Sequence, residues 1–175
     1  MTLDDLGPRI CILGPSNSGK STLAVAIAHA RGLTPIHLDL LYHLPNTDWE
    51  PRPKATFIAL HDEALAGAHW VMEGNYLSCL PQRLARATGL ILLDIPTTTS
   101  LFRYLRRSWF ERVRVGGLEG GQDNVKWDMI RYIAFDTHKI RRHQAKMFDR
   151  ISLPHIRLSA SRDIARFYQS ERLSR

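Results

Sequence analysis

The residues whose types and spacing could do chemistry stand near the start of the chain, in Gly14-Pro15-Ser16-Asn17-Ser18-Gly19-Lys20-Ser21-Thr22. Two glycines separated by four residues and followed by Lys-Ser match the pattern G-x-x-x-x-G-K-[ST]. Its glycines let successive backbone N–H groups turn inward as a nest for an anion. Lys20 then supplies a compact, strongly hydrated positive charge suited to β- and γ-phosphates. The Ser21 hydroxyl is placed to ligate the Mg²⁺ that accompanies a nucleotide, and the amides of the first helical turn add the positive end of a helix dipole. All nine residues from Gly14 to Thr22 are therefore candidate nucleotide-binding residues, and Lys20 is also a candidate catalytic residue.

Such a loop works only between a strand and a helix, and the flanking sequence predicts both. Arg9 to Leu13 is a short apolar run bounded by Pro8 and Gly14, as in a buried parallel strand. Leu23 to Arg31 carries Leu23, Ile27 and Ala30 on one helical face, and Gly32 supplies the stop. Thr34 to Leu38 reads as a second strand delivering Asp39, Leu40 to Pro51 as loop, and Pro53 to Ala66 as a helix with Phe57, Leu60, Ala64 and Leu65 on one face. His69 to Glu73 is a third strand, Pro81 to Ala87 a short helix, and Gly89 to Asp94 the most apolar strand, closed by Ile95-Pro96.

Beyond it the pattern changes. Thr97 to Arg114 and Lys126 to Met147 predict two helices around the glycine-rich run Gly116 to Asn124, which reads as a turn or lid tip. Pro154 to Leu158 is a fifth strand and Asp163 to Arg172 a closing helix. Five strands alternating with helices predict an α/β chain, a parallel sheet with helices on both faces. The expectation is one domain, 1–175, with a helical insertion at about 97–150.

Charge and composition narrow the partners. The net charge of +7 is concentrated: between Arg103 and Arg150 nine Arg and three Lys stand against six acids. Arginine outnumbers lysine nineteen to five, and guanidinium is the group for bidentate phosphate contacts, so the cluster suits nucleotide phosphates at least as well as a DNA backbone. No run approaches 18 apolar residues and Met1 to Gly7 has no apolar core, which predicts a cytoplasmic protein with no membrane partner. Cys11 and Cys79 make no disulfide framework or metal-ligand spacing, and the eight histidines form no metal motif.

Several stretches together resemble the adenylate-kinase-like branch of P-loop proteins: Gly14 to Thr22, Glu73-Gly74 after the third strand, and Asp94-Ile95-Pro96 leading to Arg103 and Arg107. More closely, the order is similar to a bacterial family of small P-loop kinases labelled DNA topology modulation proteins. That family carries a His-x-Asp strand end, here His37 and Asp39, a Trp-Val-x-acid-Gly-Asn-Tyr segment, here Trp70 to Tyr76, and an arginine-rich lid helix. The resemblance implies a P-loop NTPase three-layer sandwich with strand order 2-3-1-4-5 and a helical lid, and ATP as phosphoryl donor. It delivers no acceptor. True adenylate kinases carry Gly-[YF]-Pro-Arg after the third strand, where this chain has Gly74-Asn75-Tyr76.

The expected activity is ATP-dependent phosphoryl transfer to a small molecule, nucleoside or nucleotide, with ATP and Mg²⁺ bound and the acceptor unidentified. Asp39 could orient or deprotonate an acceptor hydroxyl, and Ser21 and Glu73 could hold the metal. The competing reading of both acids is a solvated strand end. Arg103 and Arg107, four apart on a helix, share a face that could close over the transferring phosphoryl group or simply meet solvent. The alternative functions are a P-loop ATPase and a nucleic-acid-binding protein using the basic 103–150 face. A GTPase is disfavoured, since Asn124-Val125-Lys126-Trp127-Asp128 has the wrong spacing for guanine reading.

Overall fold

The computed structural model describes residues 1–110, 131 and 137–174; the side chains of 107–110, 137–140 and 143 lie outside that description. Five strands pair in parallel in the order β2-β3-β1-β4-β5, with β1 at Arg9–Leu13, β2 at Thr34–His37, β3 at Trp70–Glu73, β4 at Gly89–Leu93 and β5 at His155–Leu158. The order is the one the resemblance implied. β3 and β4 are buried at every position and β1 at all but Arg9, whereas the edge strands β2 and β5 are half-exposed. That gradient matches the sequence, in which only the central strands are unbroken apolar runs.

Alternation along the strands divides the core into two. Ile10, Ile12, Val71, Ile91 and Leu93 face one side, where α1 (Leu3–Leu6), α2 (Lys20–Arg31) and the last helix, α8 (Ser161–Ser170), contribute Leu6, Leu23, Ile27, Ile164 and Phe167. Cys11, Leu13, Met72, Leu90 and Leu92 face the other. There α3 (Leu38–Tyr42), α4 (Lys54–Leu65), α5 (Leu80–Arg86) and α7 (Thr137–Phe148) bring Leu38, Leu65, Leu80 and Phe148. The result is a helix–sheet–helix sandwich.

Between β4 and β5 runs α6 (Thr97–Phe110), and α7 brings the chain back to the sheet. The expected helix continuation to Arg114, the turn at Gly116 to Asn124 and the start of the second helix at Lys126 lie outside the described residues. No described helix is long and apolar enough to cross a membrane.

The segment Leu40 to Pro51 departs from the expected loop. Residues 38–42 form α3, and the following chain folds back so that His43 bridges Pro51, Leu44 N–H donates to Glu50 O at 2.8 Å and Arg52 N–H to Tyr42 O at 2.7 Å. The breakers Pro45, Asn46 and Asp48 mark only the tip of this hairpin. Leu38 to Tyr42 contains none and was free to coil. Asn46 and Trp49 take left-handed backbone (φ 60° and 62°), and the Thr47 hydroxyl donates to Leu44 O at 2.7 Å, which closes the turn. Asp39 thereby sits in the first turn of α3, two residues past β2, rather than on the strand itself.

Candidate active site

β1 gives way to the loop at Gly14, whose φ of 147° is open only to glycine; a Cβ there would stand 2.5 Å from Leu93 O at the end of β4. The loop then turns through Asn17 (φ 60°) and Gly19 (φ 96°) into α2. The first amides of α2 have no carbonyl a turn earlier within the helix and are available to an anion. The Lys20 ammonium donates to Pro15 O at 2.9 Å, so its charge is held inside the loop it belongs to. Arg103, from α6, donates from Nη1 to Ser18 O at 2.8 Å and from Nη2 to Ser161 Oγ at 3.1 Å. The side chain of Arg107 lies outside the described residues.

Glu73 closes β3 beside the loop. Its Oε1 accepts from Ser21 Oγ at 2.9 Å and lies 3.0 Å from His37 Nδ1, the register partner on β2. Burial pushes this carboxyl up, but the His37 hydrogen bond, the Lys20 charge and the Ser21 hydroxyl outweigh it and hold it below the ordinary value. Sequence reasoning reached Ser21 and Glu73 separately, and the fold brings them into contact. A hydroxyl and a carboxylate oxygen beside an anion nest are the hard donors that Mg²⁺ takes when phosphates and water complete its shell. The donor set fits the group.

Because the carboxyl value is depressed in the folded chain, Glu73 contributes stability above about pH 4.5, the ordinary value, and that contribution is lost as pH falls through the lower folded value. We expect the urea midpoint of the wild-type chain to fall more steeply than that of Glu73→Gln below pH 4.5. Parallel curves would show that Glu73 does not titrate with unfolding.

On the far side of β3 the Tyr76 hydroxyl donates to Asp39 Oδ1 at 2.8 Å. Burial first, and the adjacent Asp39 carboxylate second, push the Tyr76 phenol far above its ordinary value, so it stays a donor at every working pH. Tyr76 packs against Tyr42 and Phe57, with ring centroids 4.8 and 5.1 Å away. Asp39 is thus oriented rather than simply solvated.

Other polar residues hold these groups, and none of them was given a role in the site from sequence. Asn75 bonds both backbone groups of Gly14, and Arg83, with no exposed surface, donates to Gly74 O and Tyr76 O at 2.8 and 3.1 Å. Asp94 accepts from Arg141 Nε at 2.8 Å and Arg157 Nη2 at 2.6 Å, which ties the end of β4 to α7 and β5. Asn75 and Tyr76 stand in the Trp70 to Tyr76 segment that carried the resemblance, but that pattern gave them no contact partner. Nothing in the pattern marks Arg141 or Arg157 as partners of Asp94.

No family model and no curated protein matches the chain. Among solved structures it is similar to a gluconokinase from Sinorhizobium meliloti 1021, at 16% identity over 95% of this chain and 90% of that one, with a TM-score of 0.53. A shikimate kinase from Acinetobacter baumannii, in complex with shikimate, aligns at 16% identity over 78% and 79%, with a TM-score of 0.47. The chain has an α/β P-loop NTPase fold, the one it shares with that gluconokinase. The loop after β1 and the ends of β2 and β3 lie at the carboxyl edge of the parallel sheet, where open α/β sheets bind their ligands, and Lys20, Ser21, Glu73 and Asp39 stand at that edge.

Proposed function

We propose that this chain is an ATP-dependent phosphotransferase acting on a small molecule that carries a hydroxyl group. One observation carries the reading: the turn from Glu73 to Tyr76 joins two different polar sites, Ser21–Glu73–His37 beside the phosphate loop and Tyr76–Asp39 beyond it. The first suits a metal and an anion, the second a hydroxyl. A strand-end acid serving only solvent would need no phenol held on it.

The backbone of Gly14 to Thr22 and the Lys20 ammonium would hold the nucleotide phosphates, with Ser21 and Glu73 on the metal. Bound Mg·ATP supplies an activated γ-phosphoryl group with its charge partly neutralised. Asp39 accepts the acceptor's hydroxyl proton as the oxygen attacks, and the Tyr76 hydroxyl fixes which carboxylate oxygen faces it. Arg103, already on the loop at Ser18 O, and Arg107, one turn along α6, are the assigned lid cations for the transferring group.

The likeness to a gluconokinase supports a small-molecule acceptor. The motif order resembles that of the group labelled DNA topology modulation proteins, and we read the site as favouring kinase chemistry over a DNA partner. Among the described residues of the basic segment, the guanidinium groups of Arg103 and Arg141 donate to protein oxygens, so these two are engaged within the fold.

A transfer assay with Mg·ATP against polyols, sugar acids, nucleosides and nucleoside monophosphates tests the assignment. We expect ADP formation that depends on one acceptor class, and an Asp39→Asn rate lower by about 10²–10³ with ATP affinity kept. ADP formation indifferent to every acceptor and to Asp39→Asn would make the chain an ATPase instead.

A further inference from the structure

Gly14 is held by a side chain as well as by its own strand. Asn75 Nδ2 donates to Gly14 O at 2.6 Å, and Asn75 Oδ1 accepts from the Gly14 amide at 3.3 Å. Engaging both backbone groups of one residue fixes the carboxamide's orientation, because a flipped amide would set donor against donor and acceptor against acceptor. Gln144 Nε2, from α7, donates to the same Asn75 Oδ1 at 2.8 Å. That contact fixes the second carboxamide in turn, with its nitrogen towards Asn75.

The consequence is an unpaired atom. Gln144 is 1% exposed, and its Oε1 is buried without a partner among the described residues. A buried carbonyl oxygen with no donor is a cost that an apolar side chain of the same length would avoid. The fold keeps the glutamine, and what the glutamine secures is the setting of Asn75. α7 is also the arm by which the chain returns from the insertion, while α6, its outgoing arm, holds the loop at Ser18 O through Arg103. The two arms therefore grip the phosphate loop near its opposite ends.

We propose that Gln144 is a positioning residue for the phosphate loop, acting through Asn75 on Gly14, so that the returning arm sets the geometry of the anion cradle. Its consequence for catalysis rests on the phosphotransferase reading; the chain of contacts does not. Gln144→Met keeps the side-chain length and removes both the donor and the unpaired carbonyl, so the fold should be retained. Asn75→Ala removes the relay itself.

The test measures amide hydrogen exchange at Gly14 by NMR in the unliganded chain, for wild type, Gln144→Met, Asn75→Ala and the double variant. Exchange should be roughly five- to tenfold faster in Gln144→Met, the scale of one lost hydrogen bond, and the same substitution should add nothing in the Asn75→Ala background. Affinity for Mg²⁺ with a non-hydrolysable ATP analogue should fall with the same non-additive pattern. Should Gln144→Met fail to fold, Gln144→Glu keeps the shape and, when ionised, presents only acceptors to Asn75 Oδ1. Unchanged Gly14 exchange, or additive losses across the cycle, would overturn the proposal. A wild-type chain that binds no nucleotide overturns the phosphotransferase reading instead, and accelerated, non-additive Gly14 exchange then still supports the role of Gln144.

Discussion

Lys20→Met is expected to fold normally and to lose about 10²–10³ in the rate of phosphoryl transfer, the scale seen when one preorganised donor is removed from a developing charge. The argument starts from where the ammonium is held. Its Nζ donates to Pro15 O at 2.9 Å, inside the loop, and its charge is among those that depress the Glu73 carboxyl. A cation fixed there acts on anionic oxygens without reorganising during the reaction, whereas a water-borne counter-ion would have to be recruited. Methionine retains the apolar stem and helix propensity at the first position of α2, so the packing of Leu23, Ala24 and Ile27 below it is undisturbed. Circular dichroism should superimpose on wild type, while single-turnover transfer and Mg·ATP titration separate rate from affinity. A variant that turned over normally would remove the loop from the reaction and sink the kinase reading.

The element order was legible because the chain's core is written in period-2 and period-3.6 apolar patterns. β1, β3 and β4 are apolar runs ended by Gly14, Glu73 and Asp94, and each ends where the sequence places its stop, to within a residue. The segment at Leu38–Tyr42 was not legible as a helix: five residues are too few to show a period, and the breakers that follow dominate the window. At the site, a glycine pattern and three strand-end acids are local signals that sequence carries well. The contacts Ser21–Glu73, Tyr76–Asp39 and Asn75–Gly14 are separated by 52, 37 and 61 residues and arise only from strand register and turn geometry. A buried arginine such as Arg83 reads in sequence like any other on a short helix. Only the fold reveals that it has no access to water.

Arg83 is where the largest stability effect is expected. Its side chain has no exposed surface, yet among the described residues no carboxylate pairs with it; Nη1 and Nη2 donate to Gly74 O and Tyr76 O, and Nε has no partner. Burial pulls the guanidinium below its ordinary value, and the neighbouring Cys11, Cys79 and Glu73 pull it back up. A buried charge without a contacting counter-ion is costly, and charge-assisted bonds to carbonyls offset that by about 1.5–3 kcal/mol each. Those two carbonyls flank Asn75, so the same bonds fix the turn that carries Asn75 to Gly14 and Tyr76 to Asp39. Arg83→Ala opens a cavity in the core and strips both carbonyls, and should destabilise the chain by about 3–5 kcal/mol. Arg83→Met fills much of the same volume and removes the buried charge, so its stability loss should be less than half as large. Its activity should nevertheless fall about 100-fold, because a displacement of the turn by about 1 Å misplaces both Tyr76 and Asn75. Urea unfolding and kcat/KM measured on the same preparations separate the two effects. Equal stability losses for alanine and methionine would mean that the hydrogen bonds, not the filled volume, dominate. A fully active Arg83→Met would mean that Asn75 and Tyr76 hold the turn without the guanidinium, which would leave Arg83 a packing residue only.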